Sequence, residues 1–187
     1  MRMDTLSLAR FDRTLALGSG ERVRIRPIRP DDEPRLSELY DRSSHTTRYQ
    51  RFFSVHRRLP PDWAHFLANV DYERRFALVA EDLAAPTTSV IGVARYEPTD
   101  DGVPEIAVVV EDRWQGKGLG TLLLSELFRA AVDNGITHFR AWVLADNRRM
   151  LGMLARHAEV LERRMEQGVV ELRLAPVYRP RTVSTGQ

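Results

Sequence analysis

Three glycines at alternate positions, in Gln115-Gly116-Lys117-Gly118-Leu119-Gly120, make this the stretch of the 187-residue chain best suited to chemistry. Glycine turns at little steric cost and leaves no side chain between its N–H group and a ligand. A helical pattern starts at once: Leu119, Leu122, Leu123, Leu127, Ala130 and Ala131 recur at helical spacing, and Gly135 sits where a C-terminal cap belongs. Free N–H groups at the positive end of a helix dipole form an anion site suited to a phosphate or pyrophosphate.

Two phosphate loops can be tested against this stretch, and both fit poorly. The dinucleotide pattern G-x-G-x-x-G requires glycine where Thr121 stands, and the nucleoside-triphosphate loop requires Ser or Thr after Gly-Lys, where Gly118 stands.

The elements that must position this loop follow from the patterning. Arg22 to Ile28 alternates polar and apolar, as a strand with one wet face does, and Pro27 marks an edge or a strand end. Pro30-Asp31-Asp32-Glu33 opens an amphipathic helix through Leu36, Leu39 and Tyr40. Two short helices follow, one over Thr46 to Phe53 and one from about Pro60 through Val70. Phe76–Ala80 and Ser89–Tyr96 are short apolar strands joined by a turn at 84–88, and Glu105–Val110 is the strand that feeds the glycine loop. Beyond the helix of 118–134, His138–Leu144 is a strand, Asp146-Asn147 opens a helix, and Glu159–Arg164 with Val169–Leu174 makes a hairpin around Gly168. The order predicts an α/β (α+β) chain: a mixed, mostly antiparallel sheet of about seven strands flanked by helices. Residues 1–20 read as an N-terminal arm with a short strand at most, 21–175 as the domain and 176–187 as a tail.

Composition narrows the class. The absence of cysteine excludes disulfides and thiolate metal sites, and suits a reducing cytoplasm. None of the five histidines has metal-ligand spacing, no Ser-His-Asp arrangement is readable, and no metal is expected. No apolar run approaches the roughly 20 residues of a membrane span, and the N-terminus lacks the apolar core of a secretory signal. Of 28 basic residues only Lys117 is lysine, and the arginines interleave with acids rather than cluster, so neither nucleic acid nor membrane is an expected partner.

The loop fits Q-x-x-G-x-G, and in its strand-loop-helix context it resembles the pyrophosphate loop of the GNAT family of N-acetyltransferases, which bind acetyl-CoA. The resemblance covers about residues 22–175. It implies that the fourth and fifth strands, 105–110 and 138–144, splay apart to admit the cofactor's pantetheine arm. Cofactor contacts are then expected from Val108, Val109, Val110, Gln115, Gly116, Lys117, Gly118, Leu119, Gly120, Thr121 and Asn147, with N–H groups near Val108–Val110 freed by a bulge. Asn147 also reads as a helix cap. A narrower resemblance lies in Arg26–Asp32, Arg48-Tyr49-Gln50-Arg51-Phe52-Phe53, Val70-Asp71-Tyr72, Ile91–Tyr96 and Asn147–Leu151, which look like bacterial Pat-type protein lysine acetyltransferases. It implies acetyl transfer to a lysine of an acyl-CoA synthetase, notably acetyl-CoA synthetase. With 187 residues no fused regulatory domain is expected, so control by cyclic AMP is not carried over.

A lysine amine has a pKa of ~10.4, so presenting it unprotonated near neutral pH costs roughly 4 kcal/mol. Glu105 is the candidate catalytic base, because it resembles in position the family's base glutamate; the plain alternative is a solvated strand-end carboxylate. Glu111 and Asp112 read as solvated turn acids, and Trp63, Trp114 and Trp142 as packing residues. At Tyr49, Phe52 and Phe53, core packing competes with an acceptor-side role. Arg113, Arg148 and Arg149 rank low as phosphate ligands in so arginine-rich a chain. The family often supplies a tyrosine as general acid on the helix after the fifth strand; 147–157 has none, which leaves that role unassigned. Acetylation of a small amine, or an acyl-CoA-binding sensor without turnover, are the alternatives.

Overall fold

A computed structural model describes residues 8–85 and 88–177. The first seven residues of the expected arm, two residues of the expected turn at 84–88, and the tail beyond Val177 lie outside the described residues. Eight strands, β1 (Arg13–Ala16), β2 (Arg22–Pro27), β3 (Phe76–Asp82), β4 (Ser89–Glu97), β5 (Glu105–Val110), β6 (Phe139–Leu144), β7 (Ala158–Glu166) and β8 (Val169–Pro176), form one sheet in the order β1-β2-β3-β4-β5-β6-β8-β7. Every neighbouring pair is antiparallel except β5 and β6. The helices are α1 (Glu33–Arg42), α2 (His45–Phe52), α3 (Pro61–Ala68), α4 (Leu119–Asp133) and α5 (Arg148–His157).

The mostly antiparallel sheet agrees with the sequence reading, with one strand more than the seven expected. The addition is β1, which pairs with β2 from Arg13/Ile25 to Ala16/Arg22. Beside it Phe11 and Leu17 are 1% and 6% exposed and join the core. Four residues with alternate ones exposed give too short a pattern to read in sequence.

The sheet carries a core on each face. Phe76, Leu78 and Ala80 of β3 point toward α4, whereas Ala77 and Val79 point toward α1 and α3. A strand covered on both faces has no wet side, which is why 76–80 is continuously apolar. Gly92 of β4 lies under α4; a Cβ there would meet Leu123 Cδ1 at 3.0 Å and the Val109 carbonyl at 3.2 Å, so helix and sheet approach closely only because the residue is glycine. Gly135 ends α4 at φ +75°. No helix among the described residues is long and apolar enough to cross a membrane.

The wet face expected of β2 is not wet at Arg26, which is 2% exposed. Its guanidinium donates to both oxygens of Asp32 at 2.7 Å and to Glu81 at 2.5 and 2.9 Å. Asp32 also accepts from the Arg29 N–H and from Arg35, each at 2.8 Å. The acids read as helix openers thus fasten α1 to the sheet. Glu111 and Asp112 are likewise structural rather than solvated. Glu111 is 4% exposed and accepts from Arg42, and Asp112 accepts from the Ser44 N–H, Ser44 Oγ and Thr47 Oγ1 at the start of α2.

Replacing Arg26 with Met would strand two buried carboxylates and is expected to lower the unfolding free energy by about 3–5 kcal/mol, measured from urea denaturation. Burial alone would raise the Asp32 carboxyl, but Arg26, the Arg29 N–H and Arg35 together hold it below 3.8. A carboxyl depressed in the folded state contributes stability that is complete above its unfolded pKa and is lost as pH falls through the folded value. The wild type should therefore weaken below about pH 4, and Asp32→Asn, though less stable at pH 7, should show a flatter acid limb.

Candidate active site

β5 and β6 meet once and part. Arg140 N–H donates to the Pro104 carbonyl at 2.9 Å, and among the described residues Glu105/Arg140 is the single register pair between the two strands. On its other edge β5 pairs regularly with β4 from Glu105/Glu97 to Val110/Gly92. The Glu111 N–H donates to the Ile91 carbonyl one step further on. Strand alternation then directs the backbone groups of Val109 and Ala107 to β4 and those of Val108 and Val110 into the gap. The bulge implied for β5 is absent; the extra residue lies in β4, at Ile91 opposite the Ala80/Glu81 step of β3. Divergence of β6, not a bulge, opens the backbone.

The glycine loop closes the wide end of the gap. Gly116 and Gly118 have φ of +79° and +88°, the left-handed region that glycine enters freely. Gly118 is the N-cap of α4, and its carbonyl accepts the first helical bond, from the Leu122 N–H at 3.0 Å. The N–H groups of Leu119, Gly120 and Thr121 are therefore free of helical partners. Gln115 ties the surroundings together: Nε2 donates to the Val110 carbonyl at 3.0 Å and to Thr47 Oγ1 at 3.1 Å, and Oε1 accepts from Arg149 at 2.7 Å.

The result is a cleft of about 360 Å3 whose walls include Glu105, Val108, Val109, Val110, Gln115, Gly116, Gly118, Gly120, Thr121 and Asn147. Two of the expected residues turn their side chains away. Lys117 Nζ pairs with Glu21 at 2.6 Å and lies 4.9 Å above the Trp114 ring, and Leu119 is fully buried in the core. Only their backbone can serve a ligand. Asn147 does both things read for it, lining the cleft and capping α5 through a bond from the Met150 N–H.

Thr47, Gln50 and Arg51 of α2, Trp142 of β6, and Arg149, Met153 and Arg156 of α5 also line the cleft. Arg113 instead pairs with Glu111 at 2.6 Å. The spacing 149, 153 and 156 marks one helix face and could have singled out Arg149 and Arg156. Arg51 was marked only as a member of the Arg48–Phe53 segment that carries the narrower resemblance.

Glu105 stands where this cleft meets a second cavity of about 260 Å3, walled by Arg51, Phe52, Trp63, Phe66, Leu67, Arg95, Glu97 and Ala107. Tyr49 lines neither and is 44% exposed. The Glu105 side chain is half-buried and, among the described residues, has no hydrogen bond or ion pair. Burial is the main influence on its carboxyl and pushes it up from 4.5; Arg51 and Arg95 pull it down and Glu97 pushes it up. Glu97 already receives Arg75 at 2.6 Å and Arg95. A half-desolvated, unpaired carboxylate between two cavities is suited to taking a proton from a group in either. Among the described residues, no set of three or more His, Asp or Glu side chains is grouped to hold a metal ion.

The sequence profile of the Acetyltransferase (GNAT) family matches residues 35–158. The chain belongs to this family. It is accordingly an acetyl-CoA-dependent acetyltransferase. An acetyltransferase of Pseudomonas aeruginosa is 32% identical over 136 residues, which are 72% of this chain and 73% of that one. Acetyltransferase Pat of Mycolicibacterium smegmatis is 34% identical over 163 residues, 85% of this chain, which spans only 48% of that protein. Among solved structures, the GNAT domain of S. lividans PAT superposes with a TM-score of 0.80 at 29% identity, over 89% of this chain and 98% of that one.

The loop glycines should respond differently to alanine. Gly118→Ala places a Cβ on a left-handed N-cap, at an expected cost of about 1–2 kcal/mol. At Gly120 the nearest atom to a Cβ is Met153 Sδ at 3.4 Å, so Gly120→Ala should leave stability unchanged or raise it by up to about 1 kcal/mol through helix propensity. Urea denaturation of both variants checks the difference.

Proposed function

We propose that the protein transfers the acetyl group of acetyl-CoA to the ε-amine of a lysine on a partner protein, an acyl-CoA synthetase such as acetyl-CoA synthetase, with Glu105 as general base. The observation that carries this reading is the position of Glu105: unpaired, half-buried, and common to the loop cleft and the aromatic cavity. The cleft has what the cofactor needs, with loop N–H groups for the pyrophosphate and Val108 and Val110 backbone for the amide-bearing arm. Gln115, Gly116, Lys117, Gly118, Leu119, Gly120 and Thr121 would hold the phosphates, Lys117 and Leu119 through backbone alone, while Val108–Val110 and Asn147 would hold the arm.

Acetyl-CoA supplies the thioester. The acceptor arrives as an ammonium and gives one proton to Glu105. Its lone pair then attacks the thioester carbonyl, the C–N bond forms and the C–S bond breaks. The nitrogen's second proton passes to the departing sulfur, and Glu105 releases its own to water, so one proton is freed per turnover. Backbone N–H groups in the β5–β6 gap can stabilise the developing oxyanion.

The protein acceptor is supported by the Pat relative and by the aromatic residues at the second cavity, where Trp63 and Phe66 are 39% and 53% exposed. Exposed aromatic side chains beside an active site suit a protein surface. A second reading, a small free amine, is favoured by the modest 260 Å3 of that cavity. Release of coenzyme A thiol, measured with purified acetyl-CoA synthetase and in parallel with a panel of small amines, decides between them. Acetylation of one synthetase lysine with loss of its activity supports the protein acceptor; release only with small amines rejects it.

Glu105→Gln should abolish turnover, by about 10²-fold or more, with acetyl-CoA affinity little changed by calorimetry. In the wild type, kcat should fall with acid along a limb centred above 4.5, because the carboxyl that must be ionised is raised. Full activity of Glu105→Gln would remove this residue from the mechanism.

A further inference from the structure

Arg51 is a cation of the site whose position the reaction outlined above leaves unexplained. Its arginine neighbours are all engaged: Arg48 donates to the carbonyls of Ser43 and Asp41, Arg75 and Arg95 hold Glu97, and Arg42 holds Glu111. Among the described residues the Arg51 guanidinium has neither hydrogen bond nor ion pair, and it lies over the Phe52 ring, 4.8 Å from the guanidinium carbon to the ring centre. It is half-buried and lines both the loop cleft and the aromatic cavity. Burial and the neighbouring Arg95 disfavour its charge, and Glu105 and Glu97 favour it.

The backbone holds it there. Ser44 caps α2 by accepting from the Thr47 N–H at 3.2 Å, and Asp112 accepts from Ser44 and Thr47, so the helix start is fastened to the turn that precedes the glycine loop. Phe53 ends the helix in the left-handed region at φ 54°, a conformation a phenylalanine rarely adopts. A helix fastened at its start presents Thr47 and Arg51, one turn apart, to the cleft.

At this junction neither the Glu105 carboxylate nor the Arg51 guanidinium forms an ion pair with a described residue, and each acts on the other's charge through space. Both side chains line the same two cavities, so a group bound there meets the two charges together. From β4, Glu97 is shared by Arg95 and Arg75; from β6, Arg140 is held by Asp101 and Glu171; and α3 contributes only Trp63, Phe66 and Leu67 to the aromatic cavity. From α5, Arg149 is occupied by Gln115, and Arg156 adds a further positive charge to the cleft.

An amine beside Glu105 alone would persist as an ammonium in an ion pair, tightly held and not nucleophilic. A fixed positive charge facing the same spot repels the ammonium and tolerates the neutral amine, and it favours the ionised carboxylate that must accept the proton. We propose that Arg51 is a positioning residue of the acceptor site, whose guanidinium keeps Glu105 ionised and disfavours the protonated form of the incoming amine. The inference rests on the amine-acetylation reading and adds the group that sets where on the pH scale the amine becomes reactive.

The test compares Arg51→Gln and Arg51→Lys in the full chain. With carboxyl-labelled glutamate, NMR titration follows the Glu105 resonance, assigned by its loss in Glu105→Gln. Arg51→Gln should raise the Glu105 pKa by about one unit, the effect of one nearby charge, and Arg51→Lys should restore it. This measurement needs no acceptor, so it succeeds or fails independently of the substrate reading. In turnover with acetyl-CoA and the acceptor that supports thiol release, kcat of Arg51→Gln at pH 7 should fall about tenfold and recover toward pH 9. KM for the amine should not rise, and Arg51→Lys should behave as wild type. An unmoved Glu105 resonance overturns the inference, as does a loss of kcat uniform across pH. A rise in KM with an unmoved acid limb also overturns it, and makes Arg51 an acceptor contact. Full activity of Glu105→Gln overturns the catalytic reading instead, whatever the Arg51 variants do.

Discussion

The site depends on the fact that two neighbouring strands of one sheet share a single residue pair. β5 is held on its other side by six pairs to β4, and β6 by six pairs to β8, so each half of the sheet is complete without the other. What joins them is Glu105/Arg140 at one end and the core beneath, where residues of α4 pack against strands of both halves. The gap therefore opens without loss of the fold. Backbone groups left in it are costly while unpaired, about 1–3 kcal/mol each where water is excluded. Gln115 satisfies the Val110 carbonyl, and a ligand with amide groups of its own can satisfy more.

The parts of this arrangement that local chemistry decides were legible in the sequence. The loop needed positive φ and had glycine at 116 and 118; α4 needed a stop and had Gly135; the parallel β5–α4–β6 crossover followed from a strand, a helix of four turns and a strand. Asn147 was readable as both cap and cleft residue because both follow from its place at a helix start. What stayed hidden depends on partners distant in sequence. Arg26 looked like the wet face of a strand, and its burial is explained only by Glu81, 55 residues away, and by Asp32 folded back beside it. Glu111 and Asp112 looked like turn acids because Arg42 and Ser44 lie 68 or more residues upstream. Interleaved charges suggested a solvated surface; a guanidinium that stays charged and bonds two carboxylates at once allows the same pattern to be interior.

The side chains at 117 and 119 show a further limit. A motif specifies where backbone must go, and in this loop the residues between the glycines are free to serve the rest of the protein: Leu119 enters the core, and Lys117 ties the loop to Glu21 just before β2. Reading a ligand contact from every motif position assumes that side chains do the binding. Here the loop presents N–H groups, which every residue except proline supplies.

That difference separates the two halves of the site. The loop half is backbone, so it tolerates sequence change between the glycines and identifies only the family. The acceptor half is made of side chains, Arg51 and Phe52 from α2, Trp63, Phe66 and Leu67 from α3, and Arg95, Glu97 and Glu105 from adjoining strands. Among its polar members Glu97 is ion-paired with Arg95, and with Arg75 beside it, whereas Glu105 has no ion pair among the described residues. Such a set of charges cannot be recognised from a spacing rule, because α2, α3, β4 and β5 come together only in the fold. Which amine the enzyme accepts is therefore decided by the part of the chain that its defining motif does not contain.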